Sequence, residues 1–158
     1  MTTLNKTLLI ASLFFSGLSY VNLSYANTNI ELYKSPSCGC CTQWANIMQD
    51  KGYQVDVQPQ KDWSNVRSSF GLTPQLQSCH SAIVDGYLIE GHVPEQDIAR
   101  LLKERPQGIK GLAVPGMPMH SPGMAKEGQK YHGFDVIAFY DDGTTQVYHS
   151  YSNSHHNQ

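Results

Sequence analysis

The 158-residue chain lacks any cluster of basic residues: 11 Lys and Arg stand against 13 Asp and Glu, a net charge of −2 with neutral His. Nucleic acids and anionic membranes are bound by concentrated positive charge, so the composition supports neither class of partner. Beyond the N-terminal 26 residues, no apolar run reaches the roughly 20 residues that span a bilayer. P-loop, dinucleotide-binding and serine-triad patterns are also missing, so those chemistries have no support.

The first 26 residues have the pattern of a secretory signal peptide. Lys6 precedes an uncharged, mostly apolar stretch over residues 7–18, and residues 24–26 (Ser-Tyr-Ala) form a small-x-small cleavage site. A membrane anchor is the alternative, but the apolar stretch is short and is followed by polar residues. We therefore predict export and removal of residues 1–26.

The remaining apolar pattern predicts an α/β domain with the element order βαβαββα over about residues 30–105. Gly52 and Gly71 follow predicted helices, and Asp85-Gly86 joins two apolar runs as a type I′ hairpin. The first three elements form a parallel βαβ unit. This is the element order of a thioredoxin-like domain, which we assign to residues 27–105.

Residues 106–133 are rich in glycine and proline, and we predict that regular structure is absent there. Apolar runs at residues 134–140 and 145–151 then predict a second hairpin. We therefore expect an irregular Met/Gly/Pro-rich extension over residues 106–152, which ends in this hairpin and caps a metal site on the domain. A disordered tail over residues 153–158 completes the predicted organisation.

Three of the four cysteines lie close together, at Cys38, Cys40 and Cys41, between a predicted strand and a predicted helix. Cys38 and Cys41 have the C-x-x-C spacing of redox pairs, and a helix N-terminus lowers the pKa of the first thiol. Cys40 adds a sulfur that one disulfide does not need but a Cu(I) site or a thiolate-bridged cluster does. Cys79 precedes the third predicted strand, where it would face the other three; a buried, inert cysteine is the alternative.

Methionines are concentrated in the segment predicted to be irregular, where packing on a helix or strand face does not explain them. Met117, Met119 and Met124 lie within eight residues. Thioether sulfur is a soft Cu(I) ligand that cannot be lost to disulfide formation. A flexible loop that packs its methionines on the domain is the alternative.

Histidines near these sulfurs are further candidate ligands. His80 adjoins Cys79, and His120 and His132 lie in or beside the methionine segment. We rank these three above His92, since a lone histidine is more often a surface or satisfied core residue. Zinc is disfavoured because the second cysteine or histidine pair of a structural zinc site is missing.

Four motifs in order resemble those of CopG-type copper-resistance proteins of Gram-negative bacteria. They are YKSPSCGCC at 33–41, SCHSA at 78–82, GYLIEGHVP at 86–94, and GLAVPGMP with SPGM at 111–118 and 121–124. The resemblance extends over about residues 30–150. It implies a periplasmic thioredoxin-like domain whose C-terminal extension helps to bind copper.

The resemblance also implies which residues bind the metal. The family's motif residues correspond to Cys38, Cys40, Cys41, Cys79, His80, Met117 and Met124. The resemblance further implies a role in copper tolerance, through interconversion of Cu(I) and Cu(II). Met119-His120 stands where relatives often carry an aliphatic residue and glycine, so any role of this pair is specific to this chain.

The sequence leaves three functions open. The first is a copper protein that holds Cu(I), as several thiolate-bridged ions, and interconverts it with Cu(II). The second is a metal-free thiol–disulfide oxidoreductase that uses Cys38 and Cys41, and the third is a carrier that hands copper to an efflux system without redox chemistry. The expected partners are copper ions and periplasmic copper efflux or chaperone proteins. We expect a monomer, because no extended apolar docking face is evident.

Overall fold

A computed structural model describes residues 28–152. The predicted signal peptide and tail lie outside the described residues. Within them, no helix is long and apolar enough to cross a membrane. The secondary-structure elements, in chain order, are β1 (Asn29–Lys34), α1 (Gly39–Asp50), β2 (Gln54–Pro59), α2 (Ser64–Ser69), a 3-10 turn (Pro74–Leu76), β3 (His80–Val84), β4 (Tyr87–Gly91), α3 (Glu95–Glu104), β5 (Ile109–Val114), β6 (Phe134–Tyr140) and β7 (Thr145–Tyr151).

Within residues 28–152, the seven strands form one sheet in the order β2-β1-β3-β4-β5-β6-β7. The pairs β1–β2 and β4–β5 are parallel, because a helix connects the two strands of each pair. The other neighbouring strands are antiparallel. The predicted mixed α/β class is confirmed.

Strand β5 shows that one expectation was wrong, namely that residues 106–133 lack regular structure. Ile109–Val114 lies inside the sheet between β4 and β6, and Leu112, Ala113 and Val114 are fully buried. A strand covered on both faces carries a continuous apolar run without alternation, and the surrounding glycines and prolines concealed this short run. Gly111 is required by close packing, since a Cβ there would overlap the carbonyl oxygen of Leu88.

The two faces of the sheet carry separate apolar clusters. One contains Trp44 and Met48 of α1 with Ile98 of α3, and the other contains Trp63 and Val66 around α2. Successive residues of a strand point to opposite faces. Residues 80 and 81 of β3 therefore point to the α1 face and the α2 face respectively, and this alternation decides which polar groups meet the cysteines.

Candidate metal centre

The N-terminus of α1 presents the cysteine cluster. Cys38 is the N-cap residue, with an extended backbone (φ −77°, ψ 98°), and Cys40 and Cys41 lie in the first turn. Cys41 is fully buried, whereas Cys38 and Cys40 are half-buried. The first turn contains no acidic residue, so the positive end of the helix dipole at the cysteine cluster is not offset by a carboxylate there.

Cys38 and Cys41 form a disulfide, with their Cα atoms 5.4 Å apart. One helical turn separates the two residues, so their side chains meet on the same side of the helix. Among residues 28–152 the free thiols are those of Cys40 and Cys79. The structure therefore shows the C-x-x-C pair in its oxidised form, in which neither sulfur is a thiolate.

Cys79, which immediately precedes β3, lies directly opposite the helix cluster. Its Sγ is 4.0 Å from the Sγ of Cys40, which in turn is 3.5 Å from the Sγ of Cys38. The Sγ of Cys41 lies 3.6 Å from the carbonyl oxygen of Cys79. All four sulfurs lie within 4.8 Å of one another. Sulfurs at such separations suit one soft metal ion or several ions bridged by shared thiolates.

Two buried histidines form a second donor group with Cys79. The Sγ of Cys79 lies 2.9 Å from Nε2 of His92 and 3.4 Å from Nδ1 of His80, and these donor atoms also lie within 4.8 Å of one another. Nδ1 of His92 donates to the carbonyl oxygen of Pro122 at 2.6 Å. Because Nδ1 carries the proton of the neutral ring, Nε2 is left with a lone pair that faces Cys79.

Burial sets the protonation of these donors. Burial, and then the neighbouring Cys40 thiol, raise the pKa of Cys79 to about 12. Burial lowers the pKa of His92, and burial followed by the charges of His92 and Arg67 lowers that of His80 well below its usual value. At neutral pH Cys79 is therefore a thiol and both rings are neutral. A metal cation that binds here must displace the proton of the Cys79 thiol, whereas both imidazoles are already deprotonated.

The structure places His92 in the donor group of Cys79 and His80, although the sequence ranking placed His92 below the other candidate histidines. A signal for this position exists in the sequence. The turn Asp85-Gly86 has positive φ at both residues (48° and 85°), as the predicted type I′ hairpin requires. That turn fixes the register, so that Ser81 pairs with Glu90. Two residues further from the turn on each strand, Cys79 faces His92.

The irregular segment after β5 is attached beside Cys79. The backbone N–H of Gly116 donates to the carbonyl oxygen of Gln77 at 3.2 Å. The hydroxyl of Ser78 donates to the carbonyl oxygen of Gly116, and the two residues form an isolated bridge. The segment therefore leaves the sheet next to the residue that precedes Cys79.

The same segment returns to the site at Pro122 and Gly123. Pro122 accepts the hydrogen bond from His92. Gly123 packs so closely on α1 that a Cβ there would lie 2.6 Å from the carbonyl oxygen of Cys40 and 3.0 Å from the backbone nitrogen of Trp44. Residues 117–121 are therefore anchored at both ends on the elements that carry the cysteines.

The remaining candidates lie on this segment or just after it. Met117 and Met119 are 56% and 74% exposed, and Met124 is half-buried. His120 and His132 stack with ring centroids 4.0 Å apart, and they belong to neither donor group found among the described residues. The structure thus joins His80 to the cysteines and pairs His120 with His132.

A buried ion pair on the opposite face of the sheet holds the residue that precedes Cys79. Glu90 is fully buried, and its Oε1 lies 2.6 Å from the guanidinium of Arg67. The same guanidinium donates to the carbonyl oxygen of Ser78 at 2.8 Å, and the backbone N–H of Ser78 donates to Glu90 at 2.7 Å. Ser81 also donates to Glu90. Both backbone polar groups of Ser78 are thus held by the ion pair.

Comparison with known proteins gives four findings. Residues 76–124 match the family described as "Protein of unknown function, DUF411". A structure titled "Copper resistance protein copG- Form 1" is 33% identical, with a TM-score of 0.72, and the alignment covers 80% of this chain and 98% of that one. For "Form 2" the values are 34% identity, a TM-score of 0.69, and coverage of 77% and 95%. A search of curated proteins gave no match.

Proposed function

This chain belongs to the CopG family of copper resistance proteins, and on that premise we propose that it is a periplasmic protein that binds Cu(I) through its four cysteines. The observation that carries the proposal is the convergence of four sulfurs, from the N-terminus of α1 and from the residue before β3, within 4.8 Å. Thiolate is the ligand type that selects Cu(I). The disulfide must first be reduced, because both of its sulfurs are needed as thiolates.

Two donor groups that share Cys79 favour more than one copper ion per chain. The four-thiol group suits Cu(I), and the group of Cys79, His80 and His92 adds the imidazole nitrogens that Cu(II) also accepts. A shared thiolate can bridge ions in the two groups. We therefore propose a thiolate-bridged, multinuclear copper site that supports both oxidation states and interconverts Cu(I) and Cu(II).

We propose a thioredoxin-like unit for residues 27–105 and a capping role for residues 106–152. The sheet order β2-β1-β3-β4 and the helices between these strands support the first assignment. The anchoring of residues 117–121 beside the cysteines supports the second. Met117, Met119 and Met124 are then soft ligands at the rim of the site, and His120 with His132 supplies further nitrogen donors.

Anaerobic loading of the reduced protein with Cu(I), followed by metal analysis and X-ray absorption, tests the proposal. We expect more than one copper per chain, bound mainly by sulfur. Cys40→Ser and Cys79→Ser should each remove much of it, whereas Ser37→Ala, an exposed neighbour of the cluster, should not. A chain that takes up no Cu(I) under these conditions would show that the proposal is wrong.

The disulfide supports a second candidate function, thiol–disulfide oxidoreduction by Cys38 and Cys41. Insulin reduction by the metal-free protein discriminates, because rapid turnover without copper favours this function. A third candidate is a carrier that passes copper to periplasmic efflux or chaperone proteins. Copper that keeps its oxidation state throughout transfer would favour the carrier.

Export underlies all three candidates. We propose that residues 1–26 direct the chain to the periplasm and are removed there. Cell fractionation and N-terminal mass analysis test this: the mature chain should begin at Asn27. Size-exclusion chromatography with light scattering tests the expected monomer.

A further inference from the structure

Two histidines lie outside both donor groups of the cysteine centre and lie against each other. The rings of His120 and His132 stack with their centroids 4.0 Å apart and an angle of 20° between their planes. We infer that these two imidazoles form a separate site for Cu(II) on the segment between β5 and β6. The choice of copper rests on the proposed function, whereas the site itself needs none of the cysteines.

Both rings are carried by backbone that hydrogen bonds hold in place. His120 is followed by Ser121, which is fully buried and whose N–H donates to the carbonyl oxygen of Pro118 at 3.1 Å. His132 is followed by Gly133, whose N–H donates to the carbonyl oxygen of the last residue of β7. The two rings therefore meet because the folded backbone on each side positions them.

One nitrogen of the pair has no partner. Nδ1 of His120 is buried and makes no hydrogen bond within residues 28–152. A buried polar atom without a partner is unfavourable, and a bound water or ion is a common explanation. In the tautomer protonated at Nε2, Nδ1 offers a lone pair. A cation bound between the two rings would supply the missing partner.

The spacing of the rings suits a metal ion. Bonds from a metal to imidazole nitrogen are about 2.0–2.1 Å long, so two nitrogens on one ion lie up to about 4 Å apart. Each lone pair lies in the plane of its ring, so the two side chains must rotate and open the stack to point at one ion. Both residues are half-buried, which leaves an edge for water ligands. Among first-row divalent ions, Cu(II) binds such nitrogen and oxygen donors most tightly.

The histidine pair is close to the cysteine centre in the chain but shares no donor with it. Pro122, two residues after His120, accepts the hydrogen bond from His92. His120 and His132 belong to neither donor group found within residues 28–152. Cu(II) can therefore bind here while the disulfide is formed, when the four-thiol site for Cu(I) is incomplete.

Titration with Cu(II) of a full-length variant that has no free thiol tests the inference. In the double variant Cys40→Ser with Cys79→Ser the disulfide is kept, and no thiol remains to reduce the added ion. Equilibrium titration measures the affinity, and pulsed electron paramagnetic resonance counts the bound imidazoles. We expect one Cu(II) held by two imidazoles. His120→Gln and His132→Gln in this background should each weaken its binding by about tenfold or more.

The two C-terminal histidines give the matched control. His155→Gln with His156→Gln removes two imidazoles elsewhere in the chain and should leave this Cu(II) bound. Undiminished binding by both His120→Gln and His132→Gln, loss of the ion only in the control, or no bound Cu(II) in the thiol-free chain would each overturn the inference.

A second measurement covers the case in which circular dichroism shows that the thiol-free chain does not fold. The natural chain is then saturated with Cu(I) and titrated with Cu(II), and the same histidine variants are compared. We again expect one Cu(II) on two imidazoles, and its absence refutes the histidine site alone. Failure of the reduced natural chain to take up Cu(I) refutes the proposed function instead.

Discussion

Replacement of Arg67 by methionine is expected to destabilise the protein because it breaks a buried ion pair. Glu90 is fully buried and Arg67 is 15% exposed, so the substitution leaves a carboxylate in the interior without its cation. Removal of one partner of a buried pair costs about 3–5 kcal/mol. Ser81 and the Ser78 N–H still donate to Glu90, so we expect the lower end, about 3 kcal/mol.

The stability loss caused by Arg67→Met should also change with pH in a definite direction. Burial raises the pKa of Glu90, and the hydrogen bond from Arg67 opposes that rise. Without Arg67 the native pKa of Glu90 climbs further above its unfolded value. The native state then binds the extra proton, so stability falls as pH rises from the unfolded pKa to the native one. The loss caused by Arg67→Met should therefore be larger at about pH 8 than at about pH 5.

Urea unfolding of the metal-free protein with the disulfide intact measures this loss. The double variant Arg67→Met with Glu90→Gln is the control, because removal of the carboxylate should restore part of the stability and reduce the difference between the two pH values. His80 adds to the effect in the same direction, since the Arg67 charge lowers the pKa of His80. A loss below about 1 kcal/mol at the higher pH, or a larger loss at the lower pH, refutes the reasoning.

Three further predictions concern the site itself. His92→Gln should reduce the nitrogen contribution to the X-ray absorption of copper-loaded protein, whereas His149→Gln, on strand β7, should leave it unchanged. Gly123→Ala should weaken copper uptake and destabilise the fold by about 1–3 kcal/mol, because its Cβ would lie 2.6 Å from the carbonyl oxygen of Cys40; unfolding and metal analysis measure both. Because burial lowers the pKa of His80 and of His92, the metal-free protein should lose stability as pH falls below about 6.5. Constant stability across that range would contradict the neutral, buried rings.

Local signals in the sequence were sufficient for structural features that depend only on residues close together in the chain. The Asp85-Gly86 turn requires positive φ at both residues, and that requirement is visible in the residue types themselves. Amphipathic spacing located α1 and α3, since one helix face must be buried. The corresponding signal for strands, alternation of apolar and polar residues, failed for β5. A strand buried on both faces has no such alternation to detect.

The sequence by itself determined the chemistry available to this protein, namely thiol, thioether and imidazole donors and the C-x-C-C arrangement at a helix start, because residue type and close spacing are local properties. Only the tertiary structure decided which donors meet. It placed His92 against Cys79, joined Cys38 to Cys41, and held the Cys79 segment by an ion pair across the sheet. Those contacts depend on strand register and on packing between distant segments, and neither is encoded in any short stretch of the chain.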